Sequence, residues 1–397
     1  MGFISLGEFN KNMIYPLVGT ISKIIASTIL FYGGDHIRLN SHPFIIGINS
    51  GFGMSLAIIP YLYIRKFSKK KKGKKLISKK YIEIIYNQRN PVTKRKKYLL
   101  LFLCAFLDFS QKILSFNLNN NLNNNQWIFN IVFLNLFELL LGKNQLYKHQ
   151  YFSSGIMVFF GIVLNIINLY DMGVEDIPKL IISILLEIMY SLAIVLAKYG
   201  MDDLFCSPFE ITFYEGIFSL ILNIIFLFIA TNMPIPFEKV LFFSELFKVS
   251  QYNGKYYFDN FYLYIQDLKF IEVLLFIVHM IARASFNLFS HITIKHYTSS
   301  HVILILIFGE MILCFKEDNI NDILIKVAIF FVELIMILIF CEIIELNFCG
   351  FEKNTRKNIK ERASSNTLDE NKDIESEASL DGFEVKVDDN STVNEKG

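Results

Sequence analysis

Residues 178–202 read PKLIISILLEIMYSLAIVLAKYGMD. Between Lys179 and Lys198 the only charged side chain is Glu187. A helix rises 1.5 Å per residue, so about 20 mostly apolar residues cross the hydrocarbon of a bilayer, and this run has that length and character. Its polar residues are not scattered. Glu187 and Lys198 stand eleven positions apart, three helical turns, and share one face with Ser183, Ser191 and Ile194. The stretch therefore reads as a membrane helix with a polar side, and the whole chain takes its class from it.

Moving outward, nine further runs have the same character. The ten expected spans are 13–33, 43–64, 98–116, 126–142, 151–170, 178–199, 207–231, 267–290, 299–316 and 323–346. The composition agrees: of 397 residues 53% are hydrophobic and 19% charged, with 40 Phe and 19 Tyr against a single Trp, and mean hydropathy is +0.40. Soluble domains run at about 25% charged. The charges that exist are segregated. Residues 65–97 hold 15 of the 39 Lys and Arg, and a second block of charge follows Gly350.

These numbers exclude several classes. Cys104, Cys206, Cys314, Cys341 and Cys349 form no CxxC pair and sit inside or beside apolar runs, which argues against a zinc site or a disulfide scaffold. The net charge of +2 conceals two opposed blocks and offers nucleic acid nothing. No small-residue cleavage site follows the first apolar stretch, which reads as a retained helix. No phosphate-binding loop, nucleophile elbow or metal-ligand cluster occurs, so no catalytic residues, metal or cofactor are expected, and the chain is not read as an enzyme.

Lys and Arg set the orientation, because short loops rich in them stay cytoplasmic. With ten spans, the basic loop 65–97, Lys143 with Lys148, Lys198 and Lys295 all fall on the side of both termini. The opposite side carries Asn117–Asn125, then Asp171, Glu175 and Asp176, and finally Glu317 with Asp318. The long non-cytoplasmic loop 232–266 contains Phe237–Phe243, a piece suited to a short interfacial helix. Residues 1–12 are a cytoplasmic N-terminus. Residues 350–397 form a cytoplasmic tail that starts basic, against lipid headgroups, and then turns to Ser, Asp, Glu and Asn, too polar to build a core.

A repeat organises the spans. Tyr32-Gly33-Gly34-Asp35 precedes Pro43-Phe44, and Gly51 follows its proline by eight residues. Tyr199-Gly200-Met201-Asp202 precedes Pro208-Phe209, and Gly216 again follows by eight. Lys112 and Arg283 are 171 apart, as are Phe159-Phe160 and Phe330-Phe331. Two five-helix units, 13–170 and 171–349, account for this order. Five is odd, so the second unit enters the membrane from the opposite side, the inverted-repeat plan of secondary transporters.

Ten helices in two such halves, cytosolic termini, and a fourth-to-fifth hairpin with Leu141-Gly142-Lys143, His149-Gln150, Gly155 and Gly161 resemble the drug/metabolite transporter superfamily. That superfamily includes the EamA-type carriers and the nucleotide-sugar carriers of solute carrier family 35. Phe308-Gly309-Glu310 is similar to the Gly-Glu pair often found late in the ninth helix. The resemblance implies transport of a small organic solute by alternating access, without identifying it; an anion such as a nucleotide sugar is one candidate. The alternative is a non-transporting scaffold or receptor acting through its tail, whose protein partners are unknown.

Ionisable residues at membrane depth are costly and mark pathways or paired interiors. Asp108 and Lys112 have the spacing of an intrahelical ion pair. His279, Arg283 and Asn287 recur every four residues as one stripe on the eighth helix, and Arg suits planar anions through its fixed fork of donors. The candidate substrate-binding set is Arg283, His279, Asn287, Lys112, Glu187, Glu215 and Glu310. One of Glu187, Glu215 or Glu310 is expected to neutralise Arg283 when no solute is bound. Glu333 and Lys326 read instead as a helix-to-helix pair.

Overall fold

The computed structural model describes residues 4–6, 14–32, 42–63, 91–117, 127–141, 147–170, 177–246, 249–266, 268–297, 299–302, 320–340 and 342–346. Eleven α-helices are described: α1 (Ile14–Tyr32), α2 (Pro43–Ser55), α3 (Pro91–Asn117), α4 (Trp127–Leu141), α5 (Lys148–Tyr170), α6 (Ile177–Asp202), α7 (Pro208–Asn232), α8 (Phe237–Leu246), α9 (Phe261–Gln266), α10 (Phe270–His296) and α11 (Ile320–Phe340). Four short strands accompany them: β1 (Ile4–Leu6), β2 (Ser250–Tyr252), β3 (Lys255–Tyr257) and β4 (Ile344–Leu346). The expected first to eighth spans correspond to α1–α7 and α10, and the tenth to α11. Of the ninth only a 3₁₀ turn, Ser299–Val302, is described, so Glu310 lies outside the described residues.

Helix starts follow local chemistry. Pro43, Pro91 and Pro208 open α2, α3 and α7, where proline's fixed φ is helical and its missing N–H would be unpaired anyway. Ser207 caps α7 by accepting from the Glu210 N–H at 3.0 Å. Because Pro91 starts α3, the helix begins seven residues earlier than the apolar run, and Lys94 to Lys97 belong to its first two turns. Lys97 thereby reaches Glu210 of α7 at 2.7 Å. Burial opposes its charge, but the hydrogen bond and field of Glu210 outweigh that and raise its pKa, so the pair persists through neutral pH and is lost in alkali. Past Ser55 the backbone tightens, with Leu56 and Ala57 donating to Gly53 and Met54, before a further turn runs to Tyr63. Pro60 explains the break, since it cannot donate to the carbonyl four residues back.

Two boundaries depart from the apolar pattern. The last run was expected to be helical from 323 to 346, but α11 ends at Phe340. Glu342 takes φ 60, the Ile343 N–H returns to the Leu338 carbonyl at 2.9 Å, and Ile344–Leu346 pairs antiparallel with Ile4–Leu6. A short apolar run does not distinguish helix from strand; here a partner strand far away in sequence decides. The loop 232–266 contains the expected short helix as α8, and also a hairpin. Asn253 (φ 49) and Gly254 (φ 72) turn β2 into β3, as an Asn-Gly loop with both residues left-handed does.

Four helices are long and apolar enough to cross a membrane: Pro43–Tyr63, Leu180–Asp202, Pro208–Asn232 and Phe270–His296. Ile14–Ile29, Phe129–Leu141 and Val327–Phe340 are shorter apolar helices. Burial has the sense a bilayer demands. Ser183, Ser191, Thr212, Asn49 and Asn223 are at most 1% exposed, whereas Leu99, Leu140 and Phe228 are about 70% exposed. A water-soluble protein does not display such large apolar faces while burying its amides and hydroxyls. The chain is a mostly helical membrane protein.

Packing runs across the chain. α2 lies on α7, α1 on α10, α3 on both α6 and α7, α4 on α6, α10 on α2, and α5 on α11. The α2–α7 crossing is the closest. A Cβ at Gly216 would stand 2.5 Å from the Ser55 nitrogen and 2.8 Å from the Gly51 carbonyl oxygen. One at Gly51 would stand 2.8 Å from the Leu220 nitrogen and 3.0 Å from the Gly216 carbonyl oxygen. Small residues admit such contacts between membrane helices.

At one end of the bundle the long loop is tied to α2. Asp259, fully buried, meets His42 Nδ1 at 2.7 Å and accepts from the Phe44 N–H at 3.0 Å and the Asn260 N–H at 2.8 Å. Asp259→Ala strands three buried polar groups together, each worth about 1–3 kcal/mol when unsatisfied. The expected result is a fall in melting temperature and new protease cleavage within 250–266, read by limited proteolysis of the purified protein.

The link between α6 and α7 carries Cys206, whose N–H bonds to the Gly200 carbonyl at 3.0 Å beside Phe205 at φ 54. Burial pushes the Cys206 thiol up to about 11, against the opposing charge of Lys97. Thiolate is the reactive form. In a variant retaining Cys206 alone, alkylation at pH 8 should run about a hundredfold slower than for a free thiol, corresponding to about two units of pKa, and should accelerate as pH rises. Equal rates in the folded and denatured protein would contradict this burial.

Candidate functional site

The interior where α3, α6, α7 and α10 converge is charged. On α3, Lys112 and Asp108 form an ion pair, and Lys112 is 4% exposed. Four residues apart on one helix, they stack over one turn. α7 contributes Glu215, which lies 3.4 Å from His291 Nε2 on α10. His291 Nδ1 is 2.8 Å from the Thr212 hydroxyl, one turn before Glu215. The charges of Asp108 and Lys112 act on both Glu215 and His291, and Arg283 acts on Lys112, so the groups form one electrostatic unit.

The stripe on the eighth span, α10, is where the spacing placed it. His279 is 1% exposed, with Nδ1 3.1 Å from the Asn49 amide nitrogen; that amide also donates to the Phe276 carbonyl at 2.9 Å. An amide nitrogen is only a donor, so His279 Nδ1 accepts and its proton is on Nε2. Among the described residues, that Nε2 has no hydrogen-bond partner. Asn287 donates to Met54 Sδ at 2.7 Å. Arg283, between them, places its guanidinium 5.0 Å from the centroid of the Phe286 ring. Glu187 lies on α6, and Glu215 on α7 faces His291.

Several participants were not singled out from the sequence. Lys23 lies in the middle of α1, with Nζ 5.4 Å from the same Phe286 ring, so a buried aromatic is flanked by two cations from different helices. Tyr190 of α6 packs on Phe286 as well. Lys23 was legible as a charge within an apolar run. Phe286, one of 40 Phe, carried no signal. His291 and Thr212 sit on opposite helices with no shared spacing, and only packing unites them.

Other polar residues have structural roles. Lys198, on the same face as Glu187 by spacing, donates to the Ile294 carbonyl at 3.0 Å and the Tyr297 carbonyl at 3.1 Å, closing the C-terminus of α10. The Ser299 N–H donates to Glu138 at 2.6 Å, and His149 meets Glu342 at 3.3 Å. Glu333 is buried on α11, and the side chain of Lys326 lies outside the described residues. Among the described residues no group of three or more His, Cys, Asp or Glu is placed to hold a metal.

No protein-family model matches the chain, and no curated protein matches it.

Proposed function

We propose that this chain is a ten-helix carrier of the drug/metabolite type, built of two inverted five-helix repeats, that moves a small organic solute across a membrane by alternating access. The observation that carries this reading is the interior charge cluster, to which α3 of one half and α7 and α10 of the other contribute. Ionisable groups are retained at such depth where they line a pathway or pair across it. Arg283 favours an anion through its fixed fork of donors, and the His279 Nε2–H is a further donor for it.

The repeat has support in packing. Adding 165 carries Gly51 to Gly216 and Ser55 to Leu220, and each glycine abuts the other and the residue four beyond it. A two-fold axis through a contact produces such reciprocity. The pairing of α1 with α10 is matched by that of α6 with α3, and α2 on α10 by α7 on α3. Pairing of β1 with β4 suits termini on one side, as an even number of spans requires.

The experiment is a thermal-shift screen of the purified full-length protein against nucleotide sugars, phosphorylated sugars, amino acids and nucleobases, followed by uptake of the stabilising compound into proteoliposomes. Stabilisation together with saturable uptake is the expected result. Absence of both across the panel, or an unchanged response once residues 363–397 are implicated by partner capture, favours the scaffold reading. For topology, single cysteines at Ser78 and Asn121 should be labelled from opposite sides of the membrane; labelling of both from one side eliminates the ten-span arrangement.

A further inference from the structure

The Glu215–His291 contact contains information about a proton. Thr212 Oγ1 is 2.9 Å from the Pro208 carbonyl oxygen, an acceptor only, and 2.8 Å from His291 Nδ1. A hydroxyl has one hydrogen. If that hydrogen went to the imidazole, the lone pairs of Thr212 Oγ1 and the Pro208 oxygen would face each other unrelieved. It therefore goes to the carbonyl, and Thr212 Oγ1 accepts from His291 Nδ1–H. With the proton of the neutral imidazole on Nδ1, Nε2 presents a lone pair, and what it presents it to is Glu215 Oε2 at 3.4 Å.

Two acceptors at that distance in a buried site repel unless a proton is added. Either the carboxyl carries it, or the imidazole does and the two form an ion pair; in both cases the pair holds one proton more than a bare carboxylate and a neutral ring. The surroundings do not supply it otherwise. Lys112 is engaged by Asp108 on α3, and the two act on the dyad with opposite sign. Cys104 of α3 and Tyr190 of α6 feel the charge of Glu215. Arg283 is on α10 itself, Lys23 on α1 lies over Phe286, and α2 has no ionisable side chain between Pro43 and Ser55. Glu215 is the eighth residue of α7, about 10 Å along the helix from its start at 1.5 Å per residue, deep enough for exchange with water to depend on conformation.

We propose that Glu215 and His291 form a proton-binding site holding one exchangeable proton, which is the coupling ion of the carrier. The second half of that statement rests on the carrier reading above; the first does not. The balance is simple: one proton enters from the side to which the cavity is open, resides between Oε2 and Nε2, and leaves on the other side, with no bond to carbon and no redox change.

The test uses the full-length protein in lipid vesicles. The infrared C=O stretch of protonated carboxyl groups and the ring modes of histidine, which between them report the proton on either partner, are followed through a pH titration for the wild type, Glu215→Gln, Glu215→Asp and His291→Gln. A titrating component should vanish in Glu215→Gln, persist displaced in Glu215→Asp, and change its proton affinity tenfold or more in His291→Gln. Identical titrations in the wild type and Glu215→Gln, or a component indifferent to His291→Gln, overturn the site. Should Glu215→Gln fail to fold, the aspartate and histidine variants decide. Proteoliposomes then take up the panel compound that most raises the melting temperature, with and without an acid-outside gradient. Acceleration by the gradient in the wild type but not in His291→Gln supports coupling, and indifference of the wild type overturns it. No uptake at all, with the infrared component intact, instead removes the carrier reading and leaves the proton site standing.

Discussion

Replacing Gly216 by leucine should leave almost no folded protein. The β-carbon alone would sit 2.5 Å from the Ser55 nitrogen and 2.8 Å from the Gly51 oxygen, and both are backbone atoms that cannot rotate aside. Added methylenes in a close-packed interface cost about 1–3 kcal/mol when the surroundings adjust, and more when they cannot. Here relief requires α2 and α7 to move apart, which would also disturb the contacts of α2 with α10 made by Asn49 to the Phe276 carbonyl and by Asn287 to Met54. Gly216→Ala should be tolerated poorly, and Gly51→Leu should be comparably damaging, because the two glycines meet each other. Gly155, with nothing near the position of an added Cβ, is the control: Gly155→Ala should be silent. Yield of monodisperse protein in detergent, together with its melting temperature, reads the result. A Gly216→Leu variant with wild-type yield and melting temperature would contradict the crossing as described.

Arg283→Ala should abolish transport while the protein still reaches its membrane. On the proposed reading, Arg283 supplies a fixed fork of donors to an anionic solute, flanked by the His279 Nε2–H and by Lys23 across the Phe286 ring. Arg283→Lys keeps the charge and loses the bidentate geometry, so it should recover little activity. Asp108 and Lys112 provide the contrast. Loss of Asp108 alone leaves a buried ammonium unpaired, at a cost of about 3–5 kcal/mol, so Asp108→Ala should reduce yield, and the double change Asp108→Ala with Lys112→Met should restore much of it. Uptake by Arg283→Ala at the wild-type rate would remove Arg283 from the site.

Much of this arrangement is legible one helix at a time. The spacing of His279, Arg283 and Asn287 placed the three on one stripe of α10, and the four-residue separation of Asp108 and Lys112 indicated their pair, because a helix repeats its faces every three to four residues irrespective of what surrounds it. Partners from other helices were not legible in the same way. The approach of the Arg283 guanidinium to Phe286 of its own helix, a ring that Lys23 of α1 also approaches, has no counterpart in the spacing of charges. Lys198 looked like a charge facing water or a cavity, and it closes the end of α10 through two carbonyl oxygens that no side-chain pattern encodes. The Asn253-Gly254 hairpin is encoded locally, because its turn needs only two neighbouring residues of positive φ.

What the sequence determined by itself is the class and the local elements. Apolar runs of membrane length, two blocks of concentrated charge, and prolines at helix starts act within one turn or one span, through hydropathy and backbone geometry, and need no knowledge of neighbours. What only the tertiary structure decided is which groups meet. The end of the last apolar run became a strand because Ile4–Leu6 was there to pair with it, more than 300 residues away. Gly51 and Gly216 became mutual contacts because α2 crosses α7. Thr212, Glu215 and His291 meet because α7 packs against α10. Each depends on distances between helices, which are set by the packing of side chains from every span at once, and no short stretch of residues contains that information.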